Sequence, residues 1–98
     1  MLKKTYSKTG KVCRVTFRLP AEVQAKKAVL AGDFNGWDTQ ANPMRVLKNG
    51  DFSVTISLKA GQTYRFRYLL DGNRWENDWA ADAYVPNAFG GDDSVVQV

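Results

Sequence analysis

The chain contains no histidine, a single cysteine and no long apolar run, and each absence removes a class of function. Without histidine there is no imidazole to act as a general base or a metal ligand, and Cys13 alone permits neither an internal disulfide nor a thiolate-rich metal site. No segment approaches the roughly 18 apolar residues of a membrane helix, and the N-terminal "MLKKTYSK" lacks the apolar centre of a secretion signal. We therefore expect a cytoplasmic protein with no membrane partner, no metal and no cofactor.

The length and the net charge narrow the function further. Ninety-eight residues are less than half of a barrel enzyme of about 250 residues, so we expect residues 1–98 to form a single domain and exclude the large catalytic folds. The net charge of +4 raises nucleic acid as a partner, because phosphate binding needs clustered cations. Along the sequence the cations are scattered in pairs, which favours an ordinary solvated surface.

Apolar residues recur at every second position in several short runs, which is the period of half-buried β-strands. The clearest runs, with the side chains predicted to face the core, are "CRVTFRL" with Cys13, Val15, Phe17 and Leu19, "FSVTISL" with Phe52, Val54, Ile56 and Leu58, and "YRFRYLL" with Tyr64, Phe66, Tyr68 and Leu70. Further strands are predicted over 26–32, 44–47 and 94–98, and a single helical turn after Pro20. About six to eight short strands predict an all-β fold, an antiparallel β-sandwich that is immunoglobulin-like in outline.

The stretch "AGDFNGWDTQ" (31–40) sets two large aromatic side chains among the residues of a tight turn. Burial of Phe34 or Trp37 would contribute roughly 1.5–3 kcal/mol each. The flanking Gly32, Asn35 and Gly36 are typical of an exposed turn. Either Trp37 folds back into the core or the turn displays it to a ligand.

Three segments in this order resemble the starch- and glycogen-binding modules of family 48, the early-set domains: "LPAEVQAKKAVLAGDFNGWD", "KNGDFSVTISLKAGQTYRFRYLLDGNRWENDW" and "NAFGGDDSVVQV". Such modules lie at the N-terminus of branching and debranching enzymes and in the β subunit of AMP-activated protein kinase. The resemblance covers about residues 12–98. It implies non-catalytic binding of α-1,4-linked glucan, glycogen or starch, that targets a glycan-processing enzyme or a kinase partner.

The resemblance also implies a set of binding residues. The kinase-subunit modules have a tryptophan at the position of Trp37, a lysine at Arg67 and a second tryptophan at Trp75, although "DGNRW" is one residue longer here before its Trp. A family leucine and asparagine correspond to Phe89 and Asp93, both departures from the pattern. With Asn35 from the turn, these residues complete the predicted carbohydrate site.

Physical chemistry supports this choice of side chains. Glucose rings present C–H faces and hydroxyl rims, so a receptor needs a flat aromatic surface, and Trp provides the largest at a low cost in side-chain entropy. Arg67 offers five N–H donors to neighbouring hydroxyls. A phenyl ring at Phe89 can cover a sugar face, whereas Asp93 accepts hydrogen bonds but cannot donate as an amide does.

Each of these residues has a structural alternative. Trp37 and Trp75 could be ordinary core side chains and Arg67 an ordinary exposed cation of a strand. Asp33 and Asn35 are the type of short polar residue that bonds back to its own turn. Trp79 is predicted to be structural, and Cys13 and Phe34 are predicted to be buried in the core.

Three function classes follow, and catalysis is not among them. The carboxylate pairs Glu76 with Asp78 and Asp92 with Asp93 are the nearest approach to a glycosidase pair, but no nucleophile elbow or Gly-rich phosphate loop accompanies them. Glucan binding is the favoured interpretation. The alternatives are a structural or protein-interaction domain that has lost sugar affinity, and a nucleic-acid binder, which the alternation in "YRFRY" disfavours because it places aromatic and basic side chains on opposite faces. The initial Met1 slightly favours a free-standing protein.

Overall fold

A computed structural model, which describes residues 2–98, contains ten β-strands and two single-turn 3-10 helices. In chain order the strands are β1 (Leu2–Tyr6), β2 (Val12–Leu19), β3 (Ala28–Gly32), β4 (Asn42–Pro43), β5 (Arg45–Val46), β6 (Phe52–Lys59), β7 (Thr63–Leu70), β8 (Arg74–Glu76), β9 (Ala83–Pro86) and β10 (Asp92–Gln97). The 3-10 helices cover Ala21–Val23 and Asp33–Asn35. Neither of these helices is long and apolar enough to span a membrane.

The strands form two antiparallel sheets that pack face to face. The four-stranded sheet has the order β1-β2-β6-β5, and the six-stranded sheet has the order β4-β3-β7-β10-β9, with β8 paired to β7. The all-β, immunoglobulin-like sandwich predicted from the sequence is thereby confirmed. Seven of the strands have four or more residues, within the predicted six to eight, and the other three have only two or three residues.

The core lies between the sheets and uses the alternating side chains that the sequence identified. Cys13 is fully buried on β2, as predicted, and Phe66 on β7 places its ring centroid 5.0 Å from that of Phe17. The ring of Phe34 lies 5.8 Å from that of Phe17 and packs against the core from the 32–37 turn. Aromatic pairs of this kind stabilise a core by about 0.5–1.5 kcal/mol beyond their buried area.

Strands β1, β4, β8 and β9 were not predicted from the sequence. Strand β1 pairs with β2 along its whole length, from Leu2 opposite Phe17 to Tyr6 opposite Cys13. Its alternation is interrupted by Lys4, which occupies a core-facing position and reaches the sheet edge, where its Nζ lies 2.6 Å from a carboxylate oxygen of Asp82. The ion pair with Asp82 therefore compensates the Lys4 ammonium, whose charge at a core-facing position would otherwise destabilise β1.

A buried polar cluster ties the segment after β8 to the six-stranded sheet. The Tyr68 hydroxyl donates a 2.6 Å hydrogen bond to Asp78, whose backbone N–H donates to the Ser94 hydroxyl at 2.9 Å. Ser94 in turn donates to the Asn77 side chain, and the Tyr84 hydroxyl donates to the Asp78 carbonyl oxygen. Burial and the nearby Asp78 charge raise the pKa of Tyr68 well above its usual value, which keeps its hydroxyl protonated as a donor.

We expect this cluster to make the protein lose stability in alkaline solution. An unfolded tyrosine ionises above pH about 10, whereas folded Tyr68 stays protonated because its pKa is raised. The stabilisation is therefore complete below pH 10 and is lost as the pH rises, with a slope of at most about 1.4 kcal/mol per pH unit. Urea unfolding between pH 9 and 11 should show this slope in the parent and a shallower one in Tyr68→Phe. Equal slopes would contradict the assignment.

Candidate functional site

The turn at residues 32–37 reverses the chain at the end of β3 and directs Trp37 away from the core. Asp33–Asn35 form one 3-10 turn, and Gly36 then adopts a left-handed conformation with φ of 66°. The backbone N–H of Trp37 closes the reversal with a 2.9 Å hydrogen bond to the carbonyl oxygen of Gly32. The indole is left half-buried, so one part of it is available at the surface.

Trp37 itself has a left-handed backbone, with φ of 60°. This conformation costs a non-glycine residue roughly 1–2 kcal/mol because Cβ crowds the backbone, and bulky residues rarely adopt it. Strained residues of this kind concentrate at ligand-binding positions, where the surrounding structure enforces them. The turn thus carries Trp37 on a backbone conformation that is unfavourable for its side chain.

The pairing of the six-stranded sheet places the other predicted residues on its outer face. Phe66 and Tyr68 point inward and are fully buried, so Arg67 between them points outward, opposite Ala31 of β3. Trp75 lies opposite Leu69 in the β7–β8 hairpin and shares that outer face. The hairpin turn Asp71-Gly72 has positive φ at both residues, the geometry predicted for this turn.

An open groove with a volume of about 590 Å³ lies on this outer face. The residues that line it are Asp33, Trp37, Arg65, Arg67, Trp75, Asn87, Ala88, Phe89 and Asp93. Five of the six side chains predicted from the sequence are thus brought together from four separate parts of the chain. The groove combines aromatic surface with charged hydrogen-bonding groups, the combination that a polar ligand with apolar faces requires.

Asn35, the sixth predicted residue, lies outside the groove lining and braces the turn. Its side-chain oxygen accepts a 3.1 Å hydrogen bond from the Gly32 N–H. Its amide nitrogen donates to the Leu30 carbonyl at 3.1 Å and to the Asn42 side chain at 2.7 Å. These bonds match the alternative stated above, in which the side chain stabilises the turn.

Arg67 and Trp75 form one unit in the floor of the groove. The guanidinium carbon lies 5.5 Å from the centroid of the indole ring, a cation–π contact. The Nε–H of Arg67 is buried and has no hydrogen-bond acceptor within residues 2–98. A buried donor without a partner is costly, and a ligand oxygen in the groove is one way to satisfy it.

Asp93 lies at the base of the loop before β10 and already has partners within the protein. It is only 6% exposed, and its carboxylate lies 3.7 Å from the Arg65 guanidinium and accepts a 3.2 Å hydrogen bond from the Asn87 amide. Asn87 also accepts hydrogen bonds from the backbone N–H groups of Phe89 and Gly91. Asp93 therefore anchors the 87–91 loop from below, while its carboxylate borders the groove.

Phe89 stands at the tip of that loop and is 95% exposed. Its phenyl ring lines the groove and is almost fully accessible to solvent. The loop beneath it is rigidified by the Asn87 hydrogen bonds and by the 2.8 Å bond from the Asn87 N–H to the Gly91 carbonyl. Phe89 is thereby presented on an ordered support.

Sequence reasoning missed four lining residues: Asp33, Arg65, Asn87 and Ala88. Arg65 was detectable, because strict alternation on β7 places it on the same face as Arg67. Asp33 was assigned to the turn, and its carboxylate does accept a 2.9 Å hydrogen bond from the Arg65 N–H across to β7. The role of Asn87 depends on the folded loop, and no local pattern announces it.

Two other sequence expectations fall outside the groove. Trp79 was expected to be structural; it is 56% exposed, and its indole N–H donates a 3.3 Å hydrogen bond to Glu76. Of the carboxylates considered as catalytic pairs, Glu76, Asp78 and Asp92 do not line the groove, and Asp93 has the anchoring contacts described above. Within residues 2–98, no group of three or more potential metal-ligating Cys, Asp or Glu residues is assembled.

Comparison with known proteins gives two findings. The profile of carbohydrate-binding module 48, the isoamylase N-terminal domain, matches residues 4–85. The chain is also similar to protein PTST homolog 2, chloroplastic, of Arabidopsis thaliana, with 37% identity over 54 residues, which is 55% of this chain and 10% of that protein. The aligned part thus spans about a tenth of that relative.

Proposed function

The chain belongs to carbohydrate-binding module family 48, and from that premise we propose that it binds α-1,4-linked glucan in the groove formed by Trp37, Arg67 and Trp75. The family is one of carbohydrate-binding modules, so the chain has a carbohydrate-binding role. One observation supports the finer proposal above all. Trp37, Arg67 and Trp75 are up to 38 positions apart in the sequence, and all three line the same open groove.

Each group has a defined task in this proposal. The indoles of Trp37 and Trp75 stack against C–H faces of successive glucose rings. Arg67 donates to hydroxyls at the ring edge, and its contact with Trp75 fixes the orientation of both side chains. Phe89 closes over the sugar from the rim. Asn35 and Asp93 support the turn and the loop that carry these groups.

The module acts without catalysis in this proposal and serves to hold glucan, alone or for an associated glycan-processing enzyme or kinase. An open groove suits a polymer, because a chain can enter and leave along its length. We further propose that residues 1–98 form a single domain. We also propose that the protein is cytoplasmic.

The chain's three tryptophans allow a direct test by NMR. Each indole N–H gives one resonance, which single Trp→Phe variants assign. On titration with maltoheptaose we expect the Trp37 and Trp75 indole signals to shift and the Trp79 signal to stay within error, because Trp79 lies outside the groove. A shift confined to Trp79 would refute the site. No shift at millimolar sugar would favour the protein-interaction alternative.

A further inference from the structure

The outer face of the four-stranded sheet gathers basic side chains that are far apart in the sequence. The outward positions of its strands include five cations: Lys3, Arg14, Arg18, Arg45 and Lys59. We call this set the basic face. It lies on the opposite side of the sandwich from the groove, because each sheet turns its inner face to the shared core.

The strand register fixes these positions. Cys13, Val15 and Phe17 alternate inward on β2 and are fully buried, so Arg14 and Arg18 point outward. The outward positions pair across the sheet, in the following register: Lys3 opposite Thr16, Arg14 opposite Ser57, Arg18 and Arg45 opposite Ser53, and Lys59 opposite Val12. With strands about 4.8 Å apart and outward residues about 7 Å apart along each strand, the cations cover a patch of about 14 by 20 Å.

The basic face holds all of the excess positive charge of the chain. The carboxylate near these cations is Asp51, whose oxygen lies 3.1 Å from the Arg18 guanidinium. Five cations and one carboxylate give +4, which equals the formal net charge of the chain, so the other nine cations and nine carboxylates balance. Within residues 2–98, Lys3, Arg14, Arg45 and Lys59 have no carboxylate within 4.0 Å. The sequence suggested that the cations are scattered. This interpretation is incomplete, because folding brings the five cations of the basic face together.

We propose that the basic face is a docking surface for a partner protein that presents a cluster of Asp and Glu side chains. Carboxylates are complementary to this charge, and the hydroxyls of Thr5, Thr16, Thr55 and Ser57 between the cations offer additional donors to them. The outward strand positions carry no aromatic ring on which a nucleobase could stack.

Because the two sheets face opposite directions, a protein on the basic face leaves the groove free. The module would then bridge an acidic protein and a second ligand without competition between them. The docking proposal does not depend on the glucan proposal, since no residue of the basic face lines the groove.

The test uses fluorescently labelled poly-L-glutamate as a probe for a carboxylate-bearing polypeptide. The face variant carries Arg14→Glu and Lys59→Glu, and the matched control carries Lys26→Glu and Lys27→Glu, which change the net charge equally at exposed positions before β3. At 50 mM salt we expect the face variant to bind the probe about tenfold more weakly than the parent, and the control to stay within about twofold. Circular dichroism and maltoheptaose affinity, measured on both variants, separate loss of fold or of glucan binding from loss of docking.

Two results would overturn the proposal. Equal losses in the face variant and the control would show that only net charge matters. Tighter binding of duplex DNA or of phosphatidylserine vesicles through the same two cations, compared at equal salt, would assign the face to a different polyanion. Weakening confined to the face variant, with poly-L-glutamate as the preferred probe, supports an acidic protein partner.

Discussion

Trp37→Ala is expected to weaken maltoheptaose binding by about 30-fold, which corresponds to roughly 2 kcal/mol and is the scale of an aromatic binding hot spot. The indole is half-buried and lines the groove in which we propose that glucan binds. Its removal takes away one of two stacking surfaces and leaves the turn backbone in place. Isothermal titration calorimetry of the parent and the variant measures the change directly.

Trp79→Ala is the matched control for this experiment. Trp79 is another exposed tryptophan, but it lies outside the groove. We expect its removal to change the affinity by less than about twofold, since a surface side chain remote from a site contributes little. If Trp79→Ala weakened binding and Trp37→Ala did not, the groove would be the wrong site.

The left-handed backbone of Trp37 leads to a second prediction, which concerns the stability of variants at this position. Asn tolerates positive φ better than Ala does, so Trp37→Asn should be more stable than Trp37→Ala by about 1 kcal/mol. Both variants should bind glucan equally poorly. This pattern would show that the parent sacrifices stability to hold an indole where the ligand needs it, a trade-off typical of functional sites. Equal stabilities would argue against strain at this position.

Gly32→Ala is expected to destabilise the fold by about 3 kcal/mol, a large effect for a small domain. A Cβ at this position would lie 2.4 Å from the Arg65 carbonyl oxygen and 2.9 Å from atoms of both Phe34 and Phe66. The backbone of Gly32 is extended, with φ of −174°, so the cause is close contact with β7 and not backbone strain. Part of the clash is with main chain, which cannot move aside without breaking the β3–β7 pairing.

Gly36→Ala separates this steric effect from the conformational one. Gly36 has φ of 66°, and an added Cβ would meet no atom within 4 Å, so only the left-handed conformation opposes the change, at about 1 kcal/mol. Thermal unfolding should resolve the two variants, since 1 kcal/mol moves the Tm of a domain this size by roughly 4–8 °C. A larger loss in Gly36→Ala than in Gly32→Ala would contradict this account of the turn.

The parts of the fold that could be predicted are those whose sequence signal lies within a few neighbouring residues. Strands β2, β6 and β7 were identified because each alternates strictly over at least six residues, and Asp71-Gly72 because its turn conformation depends on the two residues themselves. Strand β1 escaped because Lys4 breaks its pattern and is satisfied only by Asp82, 78 positions away. Short strands such as β8 carry too few residues to display a period.

The residues of the candidate site also differ in whether a local sequence signal identifies them. Trp37, Arg67 and Trp75 were nominated from residue type, turn context and alternation, and the fold places all three in one groove. The anchoring role of Asp93 was missed because it requires Arg65 and Asn87, which only the β7–β10 and loop geometry brings within reach.

The sequence by itself determined the all-β class, the inward and outward faces of the long strands, and the family to which the chain belongs, because alternation and turn chemistry act over a few neighbouring residues. Tertiary structure alone decided which outward side chains share a surface. Strand order and register bring Trp37 to Trp75 on one sheet and Arg14 to Lys59 on the other, and both depend on pairing between segments that are distant along the chain.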